Sequence, residues 1–243
     1  LKYKDMKDYR NETGRKLEIL MEDKPTGLEV CSNIQFYDGI SVIRSWTELK
    51  NNGEEDLGVE YVSSFALLGI DKEGLLSTDE KLEVLIARNA WQKELIWNRF
   101  SMDQLGMSIS QPDKVRRSSQ TISVGNTGNW STKNYLPMGC LKNKETDSIL
   151  FWQIEQNGSW YWEISDQDGH MYLQLSGPTE HQSHWWKNLK PGDTFASVPV
   201  SVGSACGDVE EAAGELTKYR RAIRRKNEDN EKLPVIFNDY MNC

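Results

Sequence analysis

Several signals that would assign a function are missing from this chain of 243 residues. Its four cysteines, Cys31, Cys140, Cys206 and Cys243, form no C-x-x-C pair, so neither a zinc ribbon nor a dithiol redox site is expected. At that low density they read as reduced thiols of an intracellular, cytoplasmic protein. Basic residues are outnumbered, and the net charge of −8 argues against nucleic acid, whose binders cluster Lys and Arg on phosphates. No apolar run approaches the ~20 residues of a membrane span, so no membrane partner is expected. Gly125-Asn-Thr-Gly128 lacks the Gly-Lys-Ser/Thr ending of a phosphate loop, and no G-x-S-x-G elbow occurs. No internal repeat or low-complexity tract appears. Asn11, Asn129 and Asn157 open N-x-[ST] triplets, which carry no weight without a secretory route.

What the chain has in excess is tryptophan, nine residues in all. That points to an aromatic-rich sandwich core or to surfaces that stack on sugar rings. From about Arg15 to Val202 the pattern is strands and turns. Leu150, Trp152 and Ile154 alternate with polar neighbours, as do Trp160, Trp162 and Ile164, and Met171, Leu173 and Leu175. Joined through Gln156-Asn-Gly158 and Gln167-Asp-Gly169, they read as a three-stranded antiparallel meander with one apolar face. Gly39–Asn51 and Leu57–Ile70 read as a second hairpin, with Val59, Tyr61, Ser63, Phe65 and Leu67 on one side. Trp91 to Met107 is read as a strand and then an irregular loop. Lys190-Pro-Gly-Asp193 is a turn feeding a final strand, Thr194–Val202. Short strands at close spacing imply a sandwich or barrel.

After Gly207 the period changes. Val209, Ala213, Leu216, Tyr219 and Ile223 mark an amphipathic helix, and the basic run Arg220–Lys226 suits its carboxyl end, where the macrodipole favours cations. Asn227 to Lys232 reads as a polar linker. Leu233-Pro-Val-Ile-Phe237 then reads as a short apolar strand with the polar tip Asn238–Cys243, the order in which strands of a parallel (β/α) barrel reach an active site. A single barrel strand cannot satisfy its own backbone. Leu1 is no initiator methionine either, so the expectation is a piece of a larger enzyme.

Candidate site residues need weighing against plainer accounts. His181 and His184 could be imagined on a metal, but the segment reads as loop and no further ligand is spaced to complete a tetrahedron, so no metal or cofactor is expected. Trp160 and Trp162 fall in phase with a core strand. Trp130, in a Gly/Asn/Ser-rich loop, and Trp185 with Trp186, after another polar loop, are candidates for a sugar surface or a subunit contact. An aspartate just past a strand, such as Asp239, is either a solvated side chain or a carboxylate that accepts hydroxyl hydrogen bonds.

Phe237-Asn-Asp-Tyr-Met-Asn-Cys243 resembles the first barrel strand of one branch of glycoside hydrolase family thirty-six, the α-galactosidases. Ile43-Arg-Ser-Trp-Thr47, Glu60-Tyr-Val-Ser-Ser-Phe-Ala66, Tyr135-Leu-Pro-Met-Gly139 and Trp185-Trp-Lys-Asn-Leu-Lys-Pro-Gly192 are similar to stretches of its amino-terminal domain, in the same order. The resemblance implies a mainly β fold: an antiparallel β-supersandwich over residues 1–205 lacking its first strands, a helical linker over 206–232, and the first strand of a (β/α)8 barrel over 233–243. It implies retaining hydrolysis of terminal α-galactosides of the raffinose or melibiose type, which needs two carboxyl groups ~5–5.5 Å apart. Both family aspartates would lie beyond Cys243, so this chain alone is expected to be inactive. The resemblance also implies galactoside binding by Asp239 and Asn238. Asp8-Tyr9-Arg10 looks like the Asp-aromatic-Arg segment that, in tetrameric members, enters a neighbouring subunit's active site, and a homo-oligomer follows from that. The rival readings are an independent carbohydrate-binding β-sandwich module and a purely structural assembly domain.

Overall fold

The computed structural model describes residues 1–107, 120–167 and 169–237. Strands β1 (Lys2–Asn11), β2 (Gly14–Asp23), β3 (Leu28–Tyr37) and β4 (Ile40–Asn51) open the chain, followed by the shorter β5 (Leu57–Val59) and β6 (Ser63–Leu68). One helical turn, α1 (Thr78–Lys81), leads into β7 (Leu82–Ala90), β8 (Lys93–Ser101), β9 (Thr121–Asn126) and β10 (Tyr135–Asn143). Next come β11 (Ser148–Ile154), β12 (Trp160–Gln167), β13 (His170–Ser176), the single turn α2 (Glu180–Ser183) and β14 (Lys187–Leu189). The strands β15 (Thr194–Ala196) and β16 (Val200–Cys206) and the helices α3 (Val209–Ile223) and α4 (Glu228–Lys232) complete the described elements.

The strands build an antiparallel β-sandwich. A ten-stranded sheet runs β1-β2-β3-β4-β16-β11-β10-β7-β8, with β15 also on β4. A four-stranded sheet, β6-β13-β12-β9, covers part of one face, and β5 pairs with β14 apart from both. Between the sheets lie Leu82, Val84, Leu141, Trp152, Trp162, Ile164 and Leu173, each nearly inaccessible to water. The Trp152 and Trp162 rings meet edge to face, with centroids 5.1 Å apart and planes at 75°. That geometry aims the positive ring edge at the negative face. Gly139 makes room for it, because a Cβ there would stand 2.5 Å from the Trp152 ring.

The opposite face of the large sheet carries α3. Ala212, Leu216 and Tyr219 of the helix pack on Val42, Leu85, Ile149 and Phe151. Asp208 starts the helix by a reciprocal box with Glu211, and its carboxylate also takes two hydrogen bonds from Arg99, at 2.8 and 2.7 Å. A satellite cluster, Val30, Leu49, Val59 and Leu189, lies beneath the β5–β14 pair.

Several expectations need correction. The meander is not a single sheet: β11 pairs with β10 and β16 in the large sheet, while β12 pairs with β13 and β9 in the small one. Gln156–Gly158 is therefore a crossing between layers. The reason is that β11 is buried on both faces, Trp152 and Ile154 towards the small sheet and Ile149 and Phe151 towards α3. The β12–β13 hairpin stands, although Asp168 of its turn lies outside the described residues. The β4–β6 hairpin does not stand, since the two strands belong to different sheets. The final strand is split into β15 and β16 around Pro199, which has no N–H for the ladder. The histidine segment is a helical turn, capped by Thr179, whose hydroxyl accepts from the Gln182 N–H at 3.0 Å. Residues 228–232 are likewise helical, capped by Asn227. Ala212 is the buried alanine of α3, and Ala213, which the period places on the apolar face, is exposed.

Candidate functional site

Asp8, Tyr9 and Arg10 sit within β1 and not ahead of the first strand. All ten β1 residues are exposed, so the strand is held by its ladder to β2 and by charge. Arg15 donates from Nε to Asp8 Oδ1 at 2.8 Å, and Arg10 pairs with Asp38. The Tyr9 hydroxyl donates to Glu18 Oε1 at 2.7 Å, and Lys16 donates to the same oxygen at 2.8 Å. Strand alternation puts Asp8 and Arg10 on one face of the hairpin and Tyr9 on the other. The hydrogen bond from Arg15 holds the Asp8 carboxyl below its ordinary value. Those from Lys16 and Tyr9 do the same for Glu18. Such a tip can offer hydroxyl acceptors and a guanidinium to a neighbouring molecule, but it encloses nothing on its own.

The tryptophans separate into distinct environments. Trp160 and Trp162 belong to the core, and Trp160 Nε1 donates to the Ser131 carbonyl at 2.7 Å. Trp130, in the connection from β9 to β10, is 54% exposed, and its carbonyl accepts from Asn126 Nδ2 at 2.7 Å. Trp185 is half-buried against Phe195, with ring centroids 5.4 Å apart, whereas Trp186 is 66% exposed. The candidates thus occupy separate parts of the fold: a sheet edge, a loop of the small sheet, and the satellite cluster.

Asn238 and Asp239 lie outside the described residues. Just before them, Leu233, Val235, Ile236 and Phe237 are at least 75% exposed and belong to no strand.

Sequence reasoning missed one polar cluster. Tyr161 and Glu163 on β12 and Tyr172 and Gln174 on β13 alternate with the buried Trp160, Trp162, Leu173 and Leu175. They therefore share the solvent face of the small sheet. The Tyr161 hydroxyl donates to Glu163 Oε2 at 2.6 Å, and that of Tyr172 to Oε1 at 2.8 Å. Partial burial, reinforced by Glu163, raises both phenols above their ordinary value. The signal was present in the Trp-Tyr-Trp-Glu alternation, whose off-phase members point away from the core. Among the described residues, no three His, Cys, Asp or Glu side chains are placed to hold a metal ion, and no helix is long and apolar enough to cross a membrane.

No family model matches the sequence, and the search of curated proteins finds no match. Solved structures do match. The GH36 α-galactosidase AgaB from Geobacillus stearothermophilus superposes with a TM-score of 0.78 at 16% identity, over 98% of this chain and 32% of that one. AgaA from the same organism, in complex with stachyose, gives 0.77 at 16% identity, over 94% of this chain and 31% of that one. The α-galactosidase from Lactobacillus brevis gives 0.70 at 15% identity, over 91% and 28%. What is shared at this identity is the fold. This chain spans a little under a third of the length of these structures.

Proposed function

We propose that this chain is the amino-terminal β-domain of an α-galactosidase-like retaining glycoside hydrolase. The observation that carries the reading is the fold likeness to AgaB, which takes in nearly all of this chain and about a third of that enzyme. The domain itself does no chemistry. It packs on a catalytic barrel, contributes subunit contacts in a homo-oligomer, and shapes the rim of a pocket for terminal α-galactosides. The exposed run Leu233–Phe237 supports this, since its bare apolar side chains suit a strand that pairs within further β structure. Asp239 and Asn238, just after it, are assigned to sugar hydroxyls, and the nucleophile and acid/base to aspartates past Cys243. Asp8, Tyr9 and Arg10, on an open and charged hairpin, suit a segment that reaches a neighbouring subunit's pocket.

Two measurements test the reading. The purified chain is expected to leave a chromogenic α-galactoside uncleaved, and turnover by this chain alone would overturn the proposal. In the whole enzyme, Asp239→Ala is expected to weaken capture of raffinose, with loss of a charge-assisted hydrogen bond raising KM by about tenfold or more. An unchanged KM would remove Asp239 from the site.

A further inference from the structure

Two cavities open on the outer face of the small sheet, and Tyr161 stands between them. One, of about 340 Å³, is lined by Ser123, Asn126, Lys133, Asn134 and Tyr161 among others. The second, of about 270 Å³, is lined by Tyr61, Tyr161, Glu163, Gln174 and His181. Both include Tyr161, Thr179 and Gln182, so they form a single cleft with β12 as its floor and α2 as a wall. Small-ligand sites ordinarily run to about 300–1,000 Å³ and combine an aromatic wall with a few converging polar groups. This cleft meets that description.

Its chemistry narrows the ligand. Each Glu163 oxygen receives one phenol hydrogen bond and keeps a lone pair for another donor. The two phenols also fix the carboxylate in place, so little side-chain entropy remains to be lost on binding. The carboxamides of Gln174 and Gln182 offer donors as well as acceptors. Tyr161 contributes a rigid ring face with few rotatable bonds. Around the second cavity stand Glu60, Glu163 and Glu180 with no Lys or Arg, and Lys133 lines only the first, so phosphate, sulfate and carboxylate are disfavoured at the Glu163 end of the cleft. A neutral ligand dense in hydroxyl groups satisfies all of these at once.

We propose that this cleft binds a neutral oligosaccharide, with one sugar ring lying on Tyr161 and its hydroxyls donating to Glu163. The assignment is independent of the α-galactosidase reading, because it rests on the outer face of the small sheet and on no residue beyond Phe237. Nor does it use the exposed tryptophans.

The test is an NMR titration of the isotope-labelled chain with raffinose and with maltotriose, using glucose 6-phosphate as the anionic control. At least one trisaccharide is expected to bind with roughly millimolar affinity. The shifts should centre on Tyr161, Glu163 and Gln174, and the phosphorylated sugar should bind more weakly. Glu163→Gln, which keeps the shape of the side chain, is expected to weaken binding about tenfold through loss of a charged acceptor. Tyr161→Ala should abolish it, while Tyr161→Phe, which retains the ring, should hold most of the affinity and guards against a folding defect. Absence of shifts with both trisaccharides overturns the proposal. So does binding that Glu163→Gln and Tyr161→Ala leave unchanged, or tighter binding of the phosphorylated sugar.

Discussion

Glu155 ties helix α3 to the large sheet. One oxygen accepts the Tyr219 hydroxyl of α3, and the other accepts from Arg44 Nε and one terminal guanidinium nitrogen at 3.0 and 2.6 Å. Tyr37 meets the Tyr219 ring edge-on at 5.2 Å. Burial, and then the carboxylate beside it, pushes the Tyr219 phenol upward, so it remains a donor throughout the physiological range. Glu155→Ala strands both a phenol and a guanidinium. Breaking a fully buried pair costs about 3–5 kcal/mol, and we expect about 2–3 here because Arg44 keeps a third of its side chain in solvent. Tyr219→Phe leaves Glu155 paired with Arg44 and should cost about 1 kcal/mol. Urea midpoints at a constant slope separate the two. Equal losses would show that the Arg44–Glu155 pair adds nothing beyond the Tyr219 hydrogen bond.

At the scale of elements, the β1–β2 hairpin and α3 are stabilised in opposite ways. Strand β1 buries none of its residues and its partner β2 is half-buried, so the outer strand depends on its ladder, on Asp8 and Glu18 and on their cationic partners. Both carboxyls have folded pKa values below their unfolded ones. Their contribution is therefore complete above the ordinary carboxylate range of about 4 and disappears as pH falls through the depressed values. Carboxyl titration by NMR, with amide protection along β1, should show the hairpin opening in acid while the core holds. In α3 the burial is apolar and the start is polar. Asp208→Ala should cost about 1–2 kcal/mol of stability, whereas Asp208→Asn, also a good cap, should recover most of it in a thermal melt. A full loss in the asparagine variant would assign the effect to Arg99 and not to the cap.

How far the sequence revealed these elements depended on how many faces each one buries. The strands β12 and β13 bury one face, and their alternation was readable. Strand β11 buries two, so Ile149 and Phe151 went unassigned and the layer change after Ile154 was missed. The α3 period was clear, yet Ala212 and Ala213 are chemically alike and only packing on Phe151 and Val42 distinguishes them. The sequence singled out Asp8–Arg10 as a candidate but did not reveal its membership of a strand. The Tyr161–Glu163 cluster was hidden because attention to apolar phase ignores the positions between.

For the molecule as a whole, the exposed stretch Leu233–Phe237 is the main hazard. Val235, Ile236 and Phe237 leave three consecutive apolar side chains open to water, which favours self-association. Replacing all three with serine should suppress concentration-dependent association in light scattering and leave the melting temperature unchanged, since none of them packs on the core. A fall in melting temperature would mean that the run contributes to the fold.

The place of β16 in the large sheet has a consequence for how the protein is made. It lies between β4 and β11, pairing Val202 with Ile43 on one side and Trp152 on the other. A ribosome must therefore synthesise the whole stretch from β4 to β16 before the middle of that sheet can close, and the earlier strands wait with unpaired edges. Assembly of this domain is paced by translation, and a chain stalled before Val200 exposes two ragged half-sheets to whatever else is nearby.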